Sequence, residues 1–379
     1  MKLKRTPKPA QTSRTLFDSL DMSALSALCA EPLGTFQRLA AAAGMSVQTF
    51  RKRIAALSDS KVLLRVGART SPSALGLQNT PVFATVPFNK LQFVEKACDL
   101  HPYTRYRGRC LGSTNGLFLL FGIPPGMDFQ LAEFLDELVH LDLMKEYRIL
   151  SSTAEPIYTN PDLSTYQFNS DVWRFNMKKW AGELGSHKEE LQPPAVSVLS
   201  KLDLRDLRLV RELTIEARKE QKLLARKLSV PEYYVSRRLK FMSENRVIPS
   251  YEVFLGRGLF RFAPGALFDV RCDLNATRIV ASGVKVLSFQ TSMLPTKEGF
   301  ILFTSLPTTF FTEMGSALLK HCSDVRMMWT DYDSSMRYYF DEAPYLEGTG
   351  QWNTNRDFAI DNPLADLKNA MKKEREVQS

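Results

Sequence analysis

Two stretches of this chain repeat each other, and the repeat constrains everything else. Leu39–Leu64, LAAAAGMSVQTFRKRIAALSDSKVLL, aligns with Leu224–Pro249, LARKLSVPEYYVSRRLKFMSENRVIP, at a constant offset of 185 residues. The second copy has the plainer pattern. Asp203 can cap a helix whose inward side is Leu204, Leu207, Val210 and Leu213. A second helix carries Leu223, Leu224 and Leu228, and Ser229-Val230-Pro231 then breaks the pattern, with Pro231 suited to the first turn of a third helix. That helix places Val235, Leu239 and Met242 inward at helical spacing. In the first copy the equivalent inward stripe is Phe50, Ile54 and Leu57, and Gly44-Met45-Ser46 supplies the turn. Three short helices with a tight turn before the third make a helix-turn-helix. Matching Leu20-Asp21 to Leu202-Asp203 implies that the loop between the first two helices differs in length between the copies.

A chain of 379 residues has room for two to four domains. After the first helical unit, 81–88 reads as a strand, 89–101 as a helix, 104–112 as a strand, 113–116 as a turn, 117–123 as an apolar central strand, 128–141 as a helix, and 146–150 as a last strand. After the second unit the same order returns: strand 267–274, helix 275–284, strand 286–293, turn 295–299, strand 300–306, helix 309–321, strand 325–331. This βαββαβ order is ferredoxin-like. The expected class is α+β, two winged helix-turn-helix domains alternating with two ferredoxin-like βαββαβ domains. The expected boundaries are a basic disordered tail at 1–16, helix-turn-helix domains at 17–70 and 196–256, ferredoxin-like sensing domains at 80–152 and 262–335, an aromatic linker at 153–195 and a C-terminal extension at 336–379. The linker carries Tyr158, Tyr166, Phe168, Trp173, Phe175 and Trp180, and the extension Tyr338, Tyr339, Phe340, Tyr345, Trp352 and Phe358. Segments this aromatic are expected to pack on the sheets or on a partner. Residues 363–379 read as a charged, solvent-facing helix.

The segments LDLRD, LARKLSVPEYYVSRRLK and RVIPSY resemble the N-terminal domain of the Lrp/AsnC family of transcription regulators. That family joins a helix-turn-helix to a βαββαβ domain that senses a ligand and dimerises. The resemblance implies a prokaryotic, archaeal or bacterial, transcription regulator with two DNA-reading heads in one chain. Its partner would be double-stranded DNA, and chains would pair through the sensing domains.

The charge pattern agrees. Net charge is +9 with a pI near 9.2, which suits a polyanionic partner. Between residues 36 and 70 of the first unit, Arg38, Arg51, Lys52, Arg53, Lys61, Arg65 and Arg69 stand against a single acid, Asp59, and tail residues Lys2, Lys4, Arg5, Lys8 and Arg14 add to them. The tail is either a solubilising end or an arm that touches phosphate or the minor groove. The candidate DNA-contacting residues are Gln48, Thr49, Arg51, Lys52 and Arg53 in the first head, and Tyr233, Tyr234, Ser236, Arg237, Arg238 and Lys240 in the second. Lys and Arg can pair with phosphates, Arg can fork onto guanine, and Gln can read adenine. Arg53 and Arg238 lie beside the apolar stripe, so bracing the fold is their alternative role.

Family members bind an amino acid or similar effector through a Gly-x-x-Asp turn between the second and third strands. The first copy reads Gly112-Ser113-Thr114-Asn115, which makes Gly112, Thr114 and Asn115 the candidate effector site. The second copy, Leu294-Pro295-Thr296-Lys297, keeps neither residue, and pure dimerisation is the alternative.

Siroheme decarboxylases also resemble Lrp/AsnC proteins and include double-length chains that work on a tetrapyrrole with histidine and arginine. His101, Tyr103, Arg105, Arg107 and Arg109 can be read that way, although His321 is alone in the second copy. On a regular strand Arg105, Arg107 and Arg109 share one face, the simpler reading being a solvated or nucleic-acid-facing stripe. The primary expectation is therefore a regulator and not an enzyme, with no catalytic residues and no cofactor; a siroheme-decarboxylase-like tetrapyrrole enzyme is the alternative. Cys29, Cys98, Cys110, Cys272 and Cys322 show no metal-ligand spacing and are expected to be reduced. No apolar run reaches the length of a membrane span, and the N-terminus lacks the apolar centre of a signal peptide, so a cytoplasmic location is the default expectation.

Overall fold

The computed structural model describes residues 17–167, 170, 172–256, 265–305 and 307–378; the expected basic tail at 1–16 lies outside them. In the first half, α1 (Ser19–Ala30), α2 (Phe36–Ala42) and α3 (Val47–Asp59) form the three-helix unit, followed by β1 (Leu63–Arg69). The sheet elements are β2 (Gln78–Thr85), α4 (Leu91–Leu100), β3 (Thr104–Gly112), β4 (Gly116–Ile123), α5 (Asp128–His140) and β5 (Glu146–Ile149). The linker holds β6 (Ile157–Thr159), β7 (Tyr166–Gln167), β8 (Val172–Trp173) and α6 (Met177–Glu183). The second half repeats the plan with α7 (Leu204–Ile215), α8 (Gln221–Leu228), α9 (Glu232–Glu244), β9 (Ser250–Leu255), β10 (Ala266–Arg271), α10 (Leu274–Val284), β11 (Thr291–Thr296), β12 (Gly299–Thr304), α11 (Phe311–Leu319) and β13 (Asp324–Arg337). It ends with β14 (Tyr345–Leu346), β15 (Gln351–Trp352) and α12 (Asn362–Gln378).

Backbone chemistry sets the repeat more tightly than the apolar pattern does. Asp18 and Asp203 both open a capping box, completed by Asp21 and Asp206. Left-handed residues recur at Gly44 and Ser229, and at Lys61 and Arg246. All four pairs keep the 185-residue offset, so matching Leu20-Asp21 to Leu202-Asp203 was three residues out of register and the first loop does not change length. Capping satisfies orphan amides and therefore fixes where a helix begins, whereas a leucine can slide by a turn.

The two βαββαβ units do not stay separate. Strands run in the order β5-β2-β4-β3-β13-β10-β12-β11-β6 in one nine-stranded sheet. The join is β3 against β13, from Met328 opposite Gly112 to Arg337 opposite Tyr106. Pairing through the sensing domains is thus made inside one chain. The last strand runs past the expected Asp331 because β3 offers it a partner. After β5 the chain crosses to the far edge, where Ser152 bridges Thr296 and β6 pairs with β11. The sheet therefore curls, with Phe83, Phe118, Leu267, Leu294, Ile301 and Met328 packed inside the curl. Strand β11 starts five residues later than expected and includes Pro295; β6 pairs only as far as Met293, and Pro295 offers its carbonyl to Thr153 N at 3.1 Å.

Each three-helix unit packs against the other half's sheet. Leu25, Leu28 and Phe50 share a core with Phe268, Phe300 and Leu302, bridged by Trp173 and Trp180 of the linker. Leu207, Val210 and Val235 share one with Leu117, Leu119 and Phe121, bridged by Phe340 and Trp352. Trp180 Nε1 donates to Gly283 O and Trp352 Nε1 to Leu75 O, at 2.9 and 2.7 Å. The two aromatic extensions are thus equivalent straps. Helix α12 is not solvent-facing all round: Leu364 and Leu367 are buried in the second of these cores. All five cysteines are free. Antiparallel pairing of β1 with β9 joins the two units as a ribbon, with Val66 opposite Val253.

Candidate ligand cavity

The β1–β9 ribbon lies over one mouth of the curled sheet, and the space between them is a partly closed cavity. It has two lobes, about 130 and 290 Å³, that share Arg65, Arg69, Tyr106, Phe254, Arg337 and Tyr339. Arg105 and the rings of Phe118, Tyr158 and Tyr338 complete the smaller lobe. Four arginines thus face one partly closed space, and Glu252 is the one carboxylate that lines it among the described residues.

Each arginine is held by an identifiable neighbour. Arg65 donates from Nη1 to the Thr214 carbonyl and lies 3.7 Å over the Phe254 ring. Arg69 pairs with Glu252 and lies 4.2 Å over the Tyr158 ring. Arg337 Nη1 donates to the same Glu252 at 3.2 Å. Arg105 Nη2 donates to Thr70 Oγ1 at 2.7 Å. Burial, with Arg337 close by, brings the Arg69 guanidinium down to about 10. Burial also lowers Arg65 and Arg105. Arg69 Nε and Arg105 Nη1 are buried donors without any hydrogen-bond partner. Unpaired buried donors are costly, and a cluster of them marks a place where an anionic acceptor would be stabilised.

Glycines inside strands make the room. A Cβ at Gly67 would strike Arg65 Nη1, and one at Gly122 would strike Arg105 Cδ. A Cβ at Gly108 would lie 2.7 Å from the Tyr106 hydroxyl. Glycine weakens a strand, so three of them beneath three cavity side chains fit positions where close approach is required. The duplication is broken here: at matched offset Arg65 and Arg69 correspond to Ser250 and Phe254. The cations come mainly from the first half and the aromatic cover from the second.

Only part of the tetrapyrrole alternative set reaches this space. Register slips between Thr104 and Tyr106, so Arg105 and Tyr106 both line the cavity while Arg107 and Arg109 do not. Arg105, Arg107 and Arg109 therefore do not form one stripe. Arg107 Nε pairs with Asp99 at 2.7 Å, and Arg109 forks onto Glu95 at 2.7 and 2.8 Å. His101 is buried among Phe121 and Phe134, ring centres 5.1 and 4.6 Å away, and burial brings its pKa down to about 3. Tyr103 donates to Asn353 O at 2.7 Å. Arg65, Arg69 and Arg337 were missed as a group because they are far apart in sequence, and the first two look like phosphate contacts. The strand glycines were the signal available.

On the heads, Gln48, Arg51, Lys52, Tyr233, Ser236, Arg237 and Lys240 are exposed. Arg51 lies 4.8 Å over Phe36, Arg237 lies 5.8 Å over Tyr234, and Lys240 reaches Glu244 at 3.8 Å. Thr49 is bonded to Ser46 at 2.8 Å, Ser236 to Gln221, and the Tyr234 hydroxyl to Asp206 at 3.1 Å. Arg53 is held by Asp18 and Asp21, both at 2.8 Å, and Arg238 by Asp206 at 2.6 Å, so these two brace the fold. The effector candidates Gly112, Thr114 and Asn115 line none of the cavities described; Asn115 Oδ1 accepts from Gly112 N at 3.2 Å, and the turn abuts β13 at Met327.

No protein-family model matches the sequence, and no curated protein does. Among solved structures, the siroheme decarboxylase NirDL is similar over 93% of this chain and 99% of its own, at 13% identity and a TM-score of 0.54. This chain has a duplicated Lrp/AsnC-type fold. NirDL in complex with an iron-uroporphyrin III analogue is similar over 84% of this chain and 94% of that one, at 13% identity and a TM-score of 0.47. AsnC of E. coli covers 36% of this chain with 91% of its own length, at 15% identity and a TM-score of 0.29. The duplicated fold thus spans both helical units and both halves of the sheet, and at this identity the likeness is one of fold. No helix among the described residues is long and apolar enough to cross a membrane.

Proposed function

We propose that this chain binds a polycarboxylated tetrapyrrole in the cavity beneath the ribbon, as a siroheme-decarboxylase-like protein. The observation that carries the reading is the set of Arg65, Arg69, Arg105 and Arg337 around a space walled by aromatic rings, with one carboxylate between them. Guanidinium groups match carboxylates in charge and shape, and aromatic walls suit a planar macrocycle. The duplicated fold gives the reading its second support, since NirDL is a siroheme decarboxylase. Loss of a carboxyl group as carbon dioxide leaves a carbon that must take a proton. Tyr106, Tyr158, Tyr338 and Tyr339 are the phenols lining the cavity that could supply one, and no histidine lines it among the described residues. The test is to incubate the purified protein with siroheme or uroporphyrin III under anaerobic conditions. Mass spectrometry of the pigment should then show loss of carbon dioxide. Unchanged pigment that co-elutes with the protein would retain binding and remove the catalytic part.

A regulator remains the second reading, favoured by the exposed Gln48, Arg51 and Lys52 on α3 and Tyr233, Arg237 and Lys240 on α9. Selection of bound fragments from a random duplex library tests it. A recovered motif whose affinity falls steeply with salt supports it, and recovery of no motif removes it.

A further inference from the structure

Arg65 belongs at once to the cavity and to the second three-helix unit. It lines both lobes, and its Nη1 donates to the carbonyl of Thr214, in the last turn of α7. Carbonyls there have no partner within the helix, so an outside donor matters to them. The contact is built for: Gly67 leaves the volume that the guanidinium fills, and Ala217 N donates to Val66 O at 2.7 Å just beyond it. The C-terminus of α7 is thereby latched to β1. The other end of α7 carries Asp206, which holds Arg238 of α9 at 2.6 Å and the Tyr234 hydroxyl at 3.1 Å. One helix thus connects a cavity arginine to the outward-facing helix of the second head.

We propose that occupancy of the cavity is transmitted to α9 through Arg65, because an anionic oxygen of the ligand competes with the Thr214 carbonyl for its guanidinium. This rests on the reading that the cavity takes a polycarboxylate. A carboxylate is the stronger acceptor for a guanidinium, and Arg65 sits beside three more cations that draw an anion to it. A ligand shifts a conformational equilibrium only through contacts that differ between the two states, and the Arg65–Thr214 bond is such a contact. The first head lacks the arrangement, since Ser250 stands where the second half would need its own Arg65. Coupling is therefore one-sided, reaching α9 and not α3.

Hydrogen–deuterium exchange of the full chain with and without uroporphyrin III tests this, with the Soret band read on the same samples to report binding. In the wild type the ligand should speed exchange of the amides at 211–217 by about tenfold, the equivalent of one lost hydrogen bond. Exchange over 232–244 should change as well, and that over 47–59 should not. Arg65→Met should bind more weakly, so uroporphyrin III is raised until its Soret shift saturates; it should exchange fast over 211–217 without ligand and show no further response at saturation. Gly67→Ala, which keeps the arginine but fills its space, should behave like Arg65→Met. A Soret shift in the wild type with unchanged exchange at 211–217 overturns the coupling and leaves the binding reading standing. So does an undiminished response in both variants. No Soret shift at all overturns both.

Discussion

Arg69 and Glu252 form an ion pair across the ribbon that ties the two halves of the chain together. Glu252 also accepts from Arg337 and Gln290, and its side chain is only 6% exposed. It is therefore the internal counter-ion of the arginine cluster. Glu252→Gln should leave those cations uncompensated and destabilise the free protein by about 3–5 kcal/mol, as breaking a buried pair does. The same change should tighten anion binding. Melting curves with and without uroporphyrin III check this: the variant should melt lower alone and recover more stability from the ligand than the wild type.

Gly122→Ala puts a methyl group where the Arg105 side chain crosses β4. Losing one charge-assisted hydrogen bond costs about 1.5–3 kcal/mol, so the affinity for a polycarboxylate should fall about 10- to 100-fold with the fold intact. Far-UV circular dichroism and a pigment titration on the same preparation separate the two effects.

Arg53 and Arg238 differ in how much their loss should matter. Asp206 is 3% exposed and Asp21 13%, so Arg238→Ala strands the more deeply buried carboxylate. Urea unfolding should show a loss of about 3–5 kcal/mol for Arg238→Ala, and a smaller one for Arg53→Ala. Burial works against the Asp18 charge, but the Asp21 amide and Arg53 outweigh it and lower its pKa. Its contribution is therefore present above the unfolded carboxylate value and is lost as pH falls through the lower folded value.

His101 should impose a pH dependence of its own. Burial takes its pKa from 6.5 to about 3, so between those values the unfolded chain binds a proton that the folded chain does not. Stability then falls with acidification by up to about 1.4 kcal/mol per pH unit. Unfolding free energies at pH 7.0 and 5.5 (roughly the upper part of that window) should differ less in His101→Phe than in the wild type.

The fold was legible because its signals are local. Helix caps, the break at Pro231 and the apolar strands 117–123 and 300–306 each report on a few consecutive residues. The joined sheet was only half legible: uncovered strands call for a partner, but nothing local says that β3 and β13 supply it. The cavity was not legible because it gathers residues from Arg65 to Phe340, and because a bulge between Thr104 and Tyr106 turns Arg105 away from its neighbours' face. An arginine in a sequence looks the same whether it faces phosphate or a closed space. Gly67, Gly108 and Gly122, placed inside strands where a side chain would normally pack, were the residues that marked the difference.

Titration of uroporphyrin III into the wild type and into Arg69→Ala/Arg105→Ala, followed at the Soret band, tests the central claim most directly. Among the cavity's lining residues, those two arginines carry the buried donors that have no hydrogen-bond partner. The expected result is a saturable, one-to-one spectral shift in the wild type that weakens at least tenfold in the double variant, taking about 1.5 kcal/mol or more for lost charge-assisted bonds. No saturable shift in the wild type, or an equal one in the variant, would contradict it.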